Sequence, residues 1–177
     1  MGQRIILKPL SRIDSQILKI LKQDLEHTFN CPVETQALAL SLDYAYNPKR
    51  RQYLAPRLLA SLRGFNKEPG ARCLGIVDVD LYSPGLNFIF GEAEIGSGVA
   101  IISLYRLKPE RYGLPPNAGL FRDRAIKEAV HELGHTYYLS HCLDINCVMH
   151  FSNSLADTDI KRISFCPKCQ QKLKEVI

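Results

Sequence analysis

Residues 120–138 read LFRDRAIKEAVHELGHTYY, and this stretch decides the fold. Phe121, Ala125, Ala129 and Leu133 recur every four residues, the spacing of one helix face, so a long helix is expected from about Leu120 to Tyr138. Inside it, His131-Glu132-Leu133-Gly134-His135 sets two imidazoles one turn apart on the same side. Both can reach one tetrahedral zinc, with Glu132 beside the open coordination position. That pattern points to metal-assisted amide hydrolysis. Zinc lowers the pKa of bound water towards about 7 and polarises a carbonyl, while the carboxylate takes a proton from the water and passes it to the leaving amine.

The third ligand must come from elsewhere. His141, just past the expected helix end, completes a three-histidine site if the chain turns back there. A glutamate ligand would have to be Glu175, close to the C-terminus, and Asp144, Asp157 and Asp159 are weaker substitutes. Beyond the helix, Cys142-x4-Cys147 and Cys166-Pro167-Lys168-Cys169 supply two short-range thiol pairs, the arrangement that surrounds a second, structural zinc. Residues 140–177 hold four of the six cysteines and few large apolar side chains, so a metal rather than a core is expected to hold them together. Two zincs per chain follow, one catalytic and one structural.

Upstream, Ile5-Ile6-Leu7 within Gln3–Pro9 reads as a strand. Ile13, Ile17, Leu18, Leu21 and Leu25 then form an amphipathic helix that Asn30-Cys31-Pro32 stops. Val33–Leu40 alternates like a second strand, and a helix carrying Leu58, Leu59 and Leu62 begins near Pro56, with Gly64 suited to its C-terminal cap. Cys73–Leu81 reads as a buried strand. Phe88–Ile95 and Val99–Leu104 flank Gly96-Ser97-Gly98, whose glycines suit a tight hairpin. The fold class expected is α/β: a twisted, mainly parallel sheet with one antiparallel edge strand, packed with helices, plus a small zinc-stapled C-terminal subdomain. The chain is expected to be one catalytic domain, 1–177, with an upper subdomain spanning 1–138, a lower subdomain spanning 139–177 and a cleft between them.

The composition agrees with a globular chain. Of 177 residues, 46% are hydrophobic and 23% charged, which excludes a disordered or fibrous protein. The net charge of +5 comes without a long single-sign block, so nucleic acid is permitted but not implied. The longest apolar runs, such as Val99–Tyr105, fall far short of the roughly 20 residues a membrane span needs. Met1–Ile6 lacks a secretory apolar region, and Ile6 breaks the myristoylation pattern. The expected location is therefore cytoplasmic, where cysteines serve as metal ligands or buried thiols, the latter being the reading for Cys31 and Cys73.

His131-Glu132-x-x-His135 extended to His141, the following Cys142-x4-Cys147, and Met149 soon after together resemble the archaemetzincins, a branch of the metzincin metalloproteases. The resemblance spans His131 to Cys169 and extends upstream to Leu86-Asn87-Phe88-Ile89-Phe90-Gly91 and Ser103-Leu104-Tyr105-Arg106-Leu107. It implies a zincin-type fold, a catalytic zinc on His131, His135 and His141, Glu132 as general base and acid, Met149 in an apolar turn beneath the metal, and a second zinc on Cys142, Cys147, Cys166 and Cys169. One position departs from the pattern: Tyr138 stands where metzincins usually carry glycine. For His141 to return to the metal, Tyr138 must adopt positive φ, its ring packed or hydrogen-bonded to offset the strain.

The substrate expected is a peptide or protein laid along the exposed strand Phe88–Ile95. Its identity and the oligomeric state are not legible. A rival reading is a zinc-stabilised binding module in which Lys161, Arg162, Lys168, Lys172 and Lys174 meet phosphates. Glu132 discriminates, since a binding module has no use for it. Other residues take plainer roles. His27 is a surface or capping residue, His150 faces the cleft or solvent, Asp78 and Asp80 are read as capping the next loop ahead of binding a cation, and Lys49-Arg50-Arg51 is a solvated run.

Overall fold

The structure, a computed structural model, describes residues 3–66 and 68–177; the expectation about a leader rests in some measure on Met1 and Gly2, outside them. Five strands form the main sheet: β1 (Arg4–Pro9), β2 (Val33–Thr35), β5 (Ala71–Val77), β7 (Gly91–Glu94) and β8 (Val99–Ser103), in the order β2-β1-β5-β8-β7. All pairings are parallel except β7 with β8, so the antiparallel strand lies at the edge as expected. Gly96 and Gly98 turn the hairpin at φ +84° and +72°.

Alternating residues divide the core in two. Leu74, Ile76, Ala100 and Ile102 face α1 (Ser15–Phe29) and α3 (Ala118–Thr136), whereas Cys73, Val77, Val99 and Ile101 face α2 (Ala55–Phe65). The helix α1 begins where the Asp14 side chain accepts from Gln16 N at 2.7 Å, and ends at Asn30, left-handed at φ 49°. Its stripe Ile17, Leu21, Leu25 and Phe29 is buried. On α3, Ala125, Ala129 and Leu133 are buried as the periodicity requires, and each fully buried leucine contributes about 1.5–3 kcal/mol.

Several boundaries differ from expectation. β2 stops at Thr35 instead of reaching Leu40. The expected strand Cys73–Leu81 is broken: β5 ends at Val77, and Leu81–Tyr82 (β6) joins β3 (Tyr46–Asn47) and β4 (Gln52–Leu54) in a second small sheet. Of Phe88–Ile95 only Gly91–Glu94 is strand. Gly64 lies inside α2, whose C-cap is Asn66, because the Asn66 N–H reaches the Leu62 carbonyl. The last elements are α4 (Leu155–Ile160), opened by a Ser154–Asp157 capping box, and α5 (Pro167–Val176). Among the described residues no helix is long and apolar enough to cross a membrane.

Candidate metal centre and active-site cleft

Glu128, His131, Glu132 and His135 stand on one stripe of α3, at relative positions 0, 3, 4 and 7. The helix then ends in a Schellman motif: Tyr138 N–H bonds to His135 O at 2.9 Å and Leu139 N–H to Gly134 O at 3.1 Å. Tyr138 is the left-handed residue, φ 64°, as the return of His141 demands. Tyr138 is 60% exposed, its ring only edging up to Gly96 of the hairpin, so the strain is held mainly by the backbone motif and by Leu139, buried beyond it. The turn brings His131, His135 and His141 together, their nearest ring nitrogens within 4.8 Å of one another.

Two carbonyls orient the imidazoles. His131 Nδ1 lies 2.8 Å from Val148 O and His135 Nδ1 2.7 Å from Leu139 O. A carbonyl only accepts, so each Nδ1 carries the proton and each Nε2 turns a lone pair inward; the two Nε2 atoms stand 3.2 Å apart. Burial, and then the charge of Lys161, holds the His131 pKa well below the usual histidine value; burial also lowers that of His135 and His141. Neutral imidazoles with inward lone pairs are the form a metal takes. Met149, fully buried, packs under this helix turn, and a Cβ on Gly134 would come within 2.5 Å of its Sδ. Gly134 is therefore what admits the methionine.

Glu132 accepts no hydrogen bond from the described residues. Burial pushes its carboxyl well above the usual range, with the Glu128 and Glu92 charges adding to the rise and Lys161 opposing it. A dication at the adjacent histidines would counter that rise. Glu132 rests against the start of the edge strand: a Cβ on Gly91 would meet its Cγ at 2.6 Å and its Oε1 at 2.9 Å. The cleft around it, about 230 Å³, is bounded by Leu86–Gly91 above and Phe151–Asn153 below.

The four thiols of Cys142, Cys147, Cys166 and Cys169 also gather within 4.8 Å, with Cys142 and Cys166 Sγ 3.7 Å apart, too far for a disulfide. Cys166 caps α5 and Cys169 lies in its first turn; hydrogen bonds from its neighbours lower the Cys166 thiol, whereas burial raises that of Cys169. Cys166 N–H donates to Cys147 Sγ at 3.3 Å. Cys31 and Cys73 are buried elsewhere, as expected, and burial pushes the Cys73 thiol up to about 12.

The other candidate ligands are occupied elsewhere. Asp144 caps a turn at Asn146 N, Asp157 belongs to the capping box, Asp159 pairs with Arg124, and Glu175 bonds Gln171 on α5. His150 Nδ1 is engaged by Cys142 O at 2.9 Å. Asp78 and Asp80 do not cap the next loop; they pair with Lys108 and Arg106. Arg50, expected in a solvated run, lies over the Tyr82 ring and donates to Leu86 O and Asn87 O, fixing the cleft's upper wall. Lys161, placed by the rival reading among phosphate-contacting residues, is fully buried against Glu128. Sequence reasoning overlooked Glu128, although its place on the histidine stripe was the available signal.

The model of peptidase family M54 matches residues 16–175. The archaemetzincin of Pyrococcus furiosus is 45% identical, covering 99% of this chain and 94% of its own length; that of Methanocaldococcus jannaschii is 42% identical over 99% and 95%. The crystal structure of the Methanopyrus kandleri archaemetzincin superposes with a TM-score of 0.86 at 38% identity, covering 98% of this chain and 94% of that one. The Archaeoglobus fulgidus archaemetzincin, solved in complex with malonate, gives 0.82 at 40% identity over 96% and 99%. With that breadth of match, and three histidines gathered closely enough to hold a metal ion, the chain belongs to peptidase family M54 and is a zinc metallopeptidase.

Proposed function

We propose that the protein hydrolyses peptide bonds at a zinc held by His131, His135 and His141, with Glu132 as the proton-transferring group. The observation carrying this is the pair of Nδ1–carbonyl hydrogen bonds, which commits two imidazoles to present Nε2 beside a carboxylate that nothing else engages. When bound, zinc supplies a Lewis acid that polarises a carbonyl and acidifies water near neutral pH. Glu132, one position past His131 on the stripe of α3 that carries both histidines, takes the proton from the attacking water and delivers it to the departing amine. The edge of β7 offers unpaired backbone groups to an extended peptide, and Met149 supports the histidine turn from below.

A second zinc on Cys142, Cys147, Cys166 and Cys169 makes two per chain and has a structural role, fixing the backbone next to His141. In this reading 1–177 is one catalytic domain, the upper subdomain (1–138) and the lower subdomain (139–177) facing each other across the cleft. The free thiols suit a reducing, cytoplasmic setting. Peptide-library cleavage by the wild type and by Glu132→Gln, each with zinc content measured, tests the assignment. The variant should lose cleavage and keep both metals; wild-type cleavage by Glu132→Gln would remove the mechanism.

A further inference from the structure

The cleft beside Glu132 has a floor that proton transfer does not use. Phe88 and Phe90 wall it from above, their rings edge to face at 5.3 Å, Phe151 stands below, and Glu128 and Lys161 close it. The Lys161 side chain is 0% exposed and that of Glu128 4%, with Nζ 3.2 Å from Oε1. The Thr158 hydroxyl donates to the same oxygen at 3.2 Å. Oε2 of Glu128 receives no hydrogen bond from the described residues, and Glu128 lines the cleft.

Holding an ion pair in this place is costly, and apolar residues of equal volume would serve folding as well or better. The pair therefore calls for a role in binding. Glu128 precedes Glu132 by one helical turn, about 6 Å along the axis, which corresponds to one or two residues of an extended peptide. A peptide pairing antiparallel with β7, the stronger ladder, runs its C-terminal side towards Leu86–Phe90 and over this floor.

We propose that Glu128 and Lys161 select the residue that follows the scissile bond, and that they take a long side chain with an apolar or aromatic body and an uncharged hydrogen-bond donor at its end, tyrosine first and glutamine second. This rests on the peptidase reading. The phenylalanines hold the body and Oε2 accepts from the donor. An incoming lysine meets a carboxylate already neutralised by Lys161, a glutamate meets Oε2 itself, and phenylalanine or leucine leaves Oε2 dehydrated without a donor.

The test uses peptides identical except for Tyr, Gln, Phe, Leu, Lys or Glu after the scissile bond. The zinc-loaded wild type is assayed for kcat/KM, and binding of the same peptides to Glu132→Gln is measured alongside. Tyrosine should exceed phenylalanine about tenfold, the size of one hydrogen bond to a charged acceptor, with lysine and glutamate lower still. Lys161→Met, which leaves the carboxylate unneutralised, should move the preference to lysine. Where that variant does not fold, the double variant Glu128→Leu/Lys161→Met should melt no lower than wild type and erase the tyrosine–phenylalanine difference. Equal cleavage of tyrosine and phenylalanine peptides by the wild type, or an unchanged preference in the folded double variant, overturns the pocket assignment and leaves the peptidase intact. Binding that favours tyrosine with no cleavage by the wild type upholds the pocket and overturns the peptidase reading. Neither binding nor cleavage of any peptide in the series overturns both.

Discussion

Gly91→Ala adds a single methyl at the point where the edge strand meets the Glu132 carboxylate, the proposed proton-transferring group. That Cβ would lie 2.6 Å from Glu132 Cγ, 2.9 Å from Glu132 Oε1 and 2.8 Å from the Ile101 carbonyl oxygen. The first two contacts belong to a side chain, but the third is backbone inside β8, where Gly91 pairs with Ile102, and it cannot swing aside. Relief must come from displacing Glu132 or lifting the start of β7. Overpacking of this kind costs about 1–3 kcal/mol, and a misplacement of about 1 Å in a reacting group costs about 100-fold in rate. His131, His135 and His141 stay untouched. We therefore expect kcat/KM to fall on the order of 100-fold, the melting temperature to drop by several degrees, and zinc content to remain that of the wild type. Melting, elemental analysis and peptide cleavage on one preparation check this. Wild-type kcat/KM in a folded, zinc-loaded Gly91→Ala protein would refute the claim that β7 sets the position of Glu132.

Tyr138→Gly should stabilise the zinc-loaded protein by about 1 kcal/mol, because a left-handed residue loses its Cβ penalty while a largely exposed ring gives up little packing; a lower melting temperature would show the ring to be needed. Graded chelation should remove one zinc with loss of cleavage and retention of fold, before a second whose loss unfolds the chain around α5; unfolding together with the first release would refute the division of roles. In Glu132→Gln protein stripped only of the zinc that leaves first, which lacks the opposing carboxyl titration, stability should fall as pH drops below about 6.5. His131, His135 and His141 have folded pKa values below the usual one, so the unfolded chain takes up protons first and stability rises with pH through that window. A melting temperature flat between about pH 5 and 7 would contradict it.

The features of the fold legible in the sequence were those with a strong period or a chemical spacing. The α3 stripe, the α1 stripe and the glycine hairpin announced themselves because burial and positive φ each restrict residue type. The second small sheet was not legible: β3, β4 and β6 are two or three residues long, too short to show alternation, and β4 joins β6 only across the intervening α2 and β5. The gathering of three histidines and of four thiols could be read from HExxH and the cysteine spacings, whereas the oriented carbonyls of Val148 and Leu139 could not, since a backbone acceptor has no residue signature. Lys161 misled because a lysine in a basic stretch reads as solvent-facing, and only the packing of α4 against α3 reveals Glu128 as its partner.

The segment from Leu139 to Met149 joins the histidine cluster to the thiol cluster. It carries His141, the carbonyls that orient His135 and His131, two of the four thiols, and a bond from Cys142 N–H to Met149 O at 2.9 Å that closes it into a loop. Ordering that loop at either centre removes some of the entropy the other must overcome. With two zincs bound as proposed, their affinities would be thermodynamically linked, each metal raising the affinity for the other by the same factor.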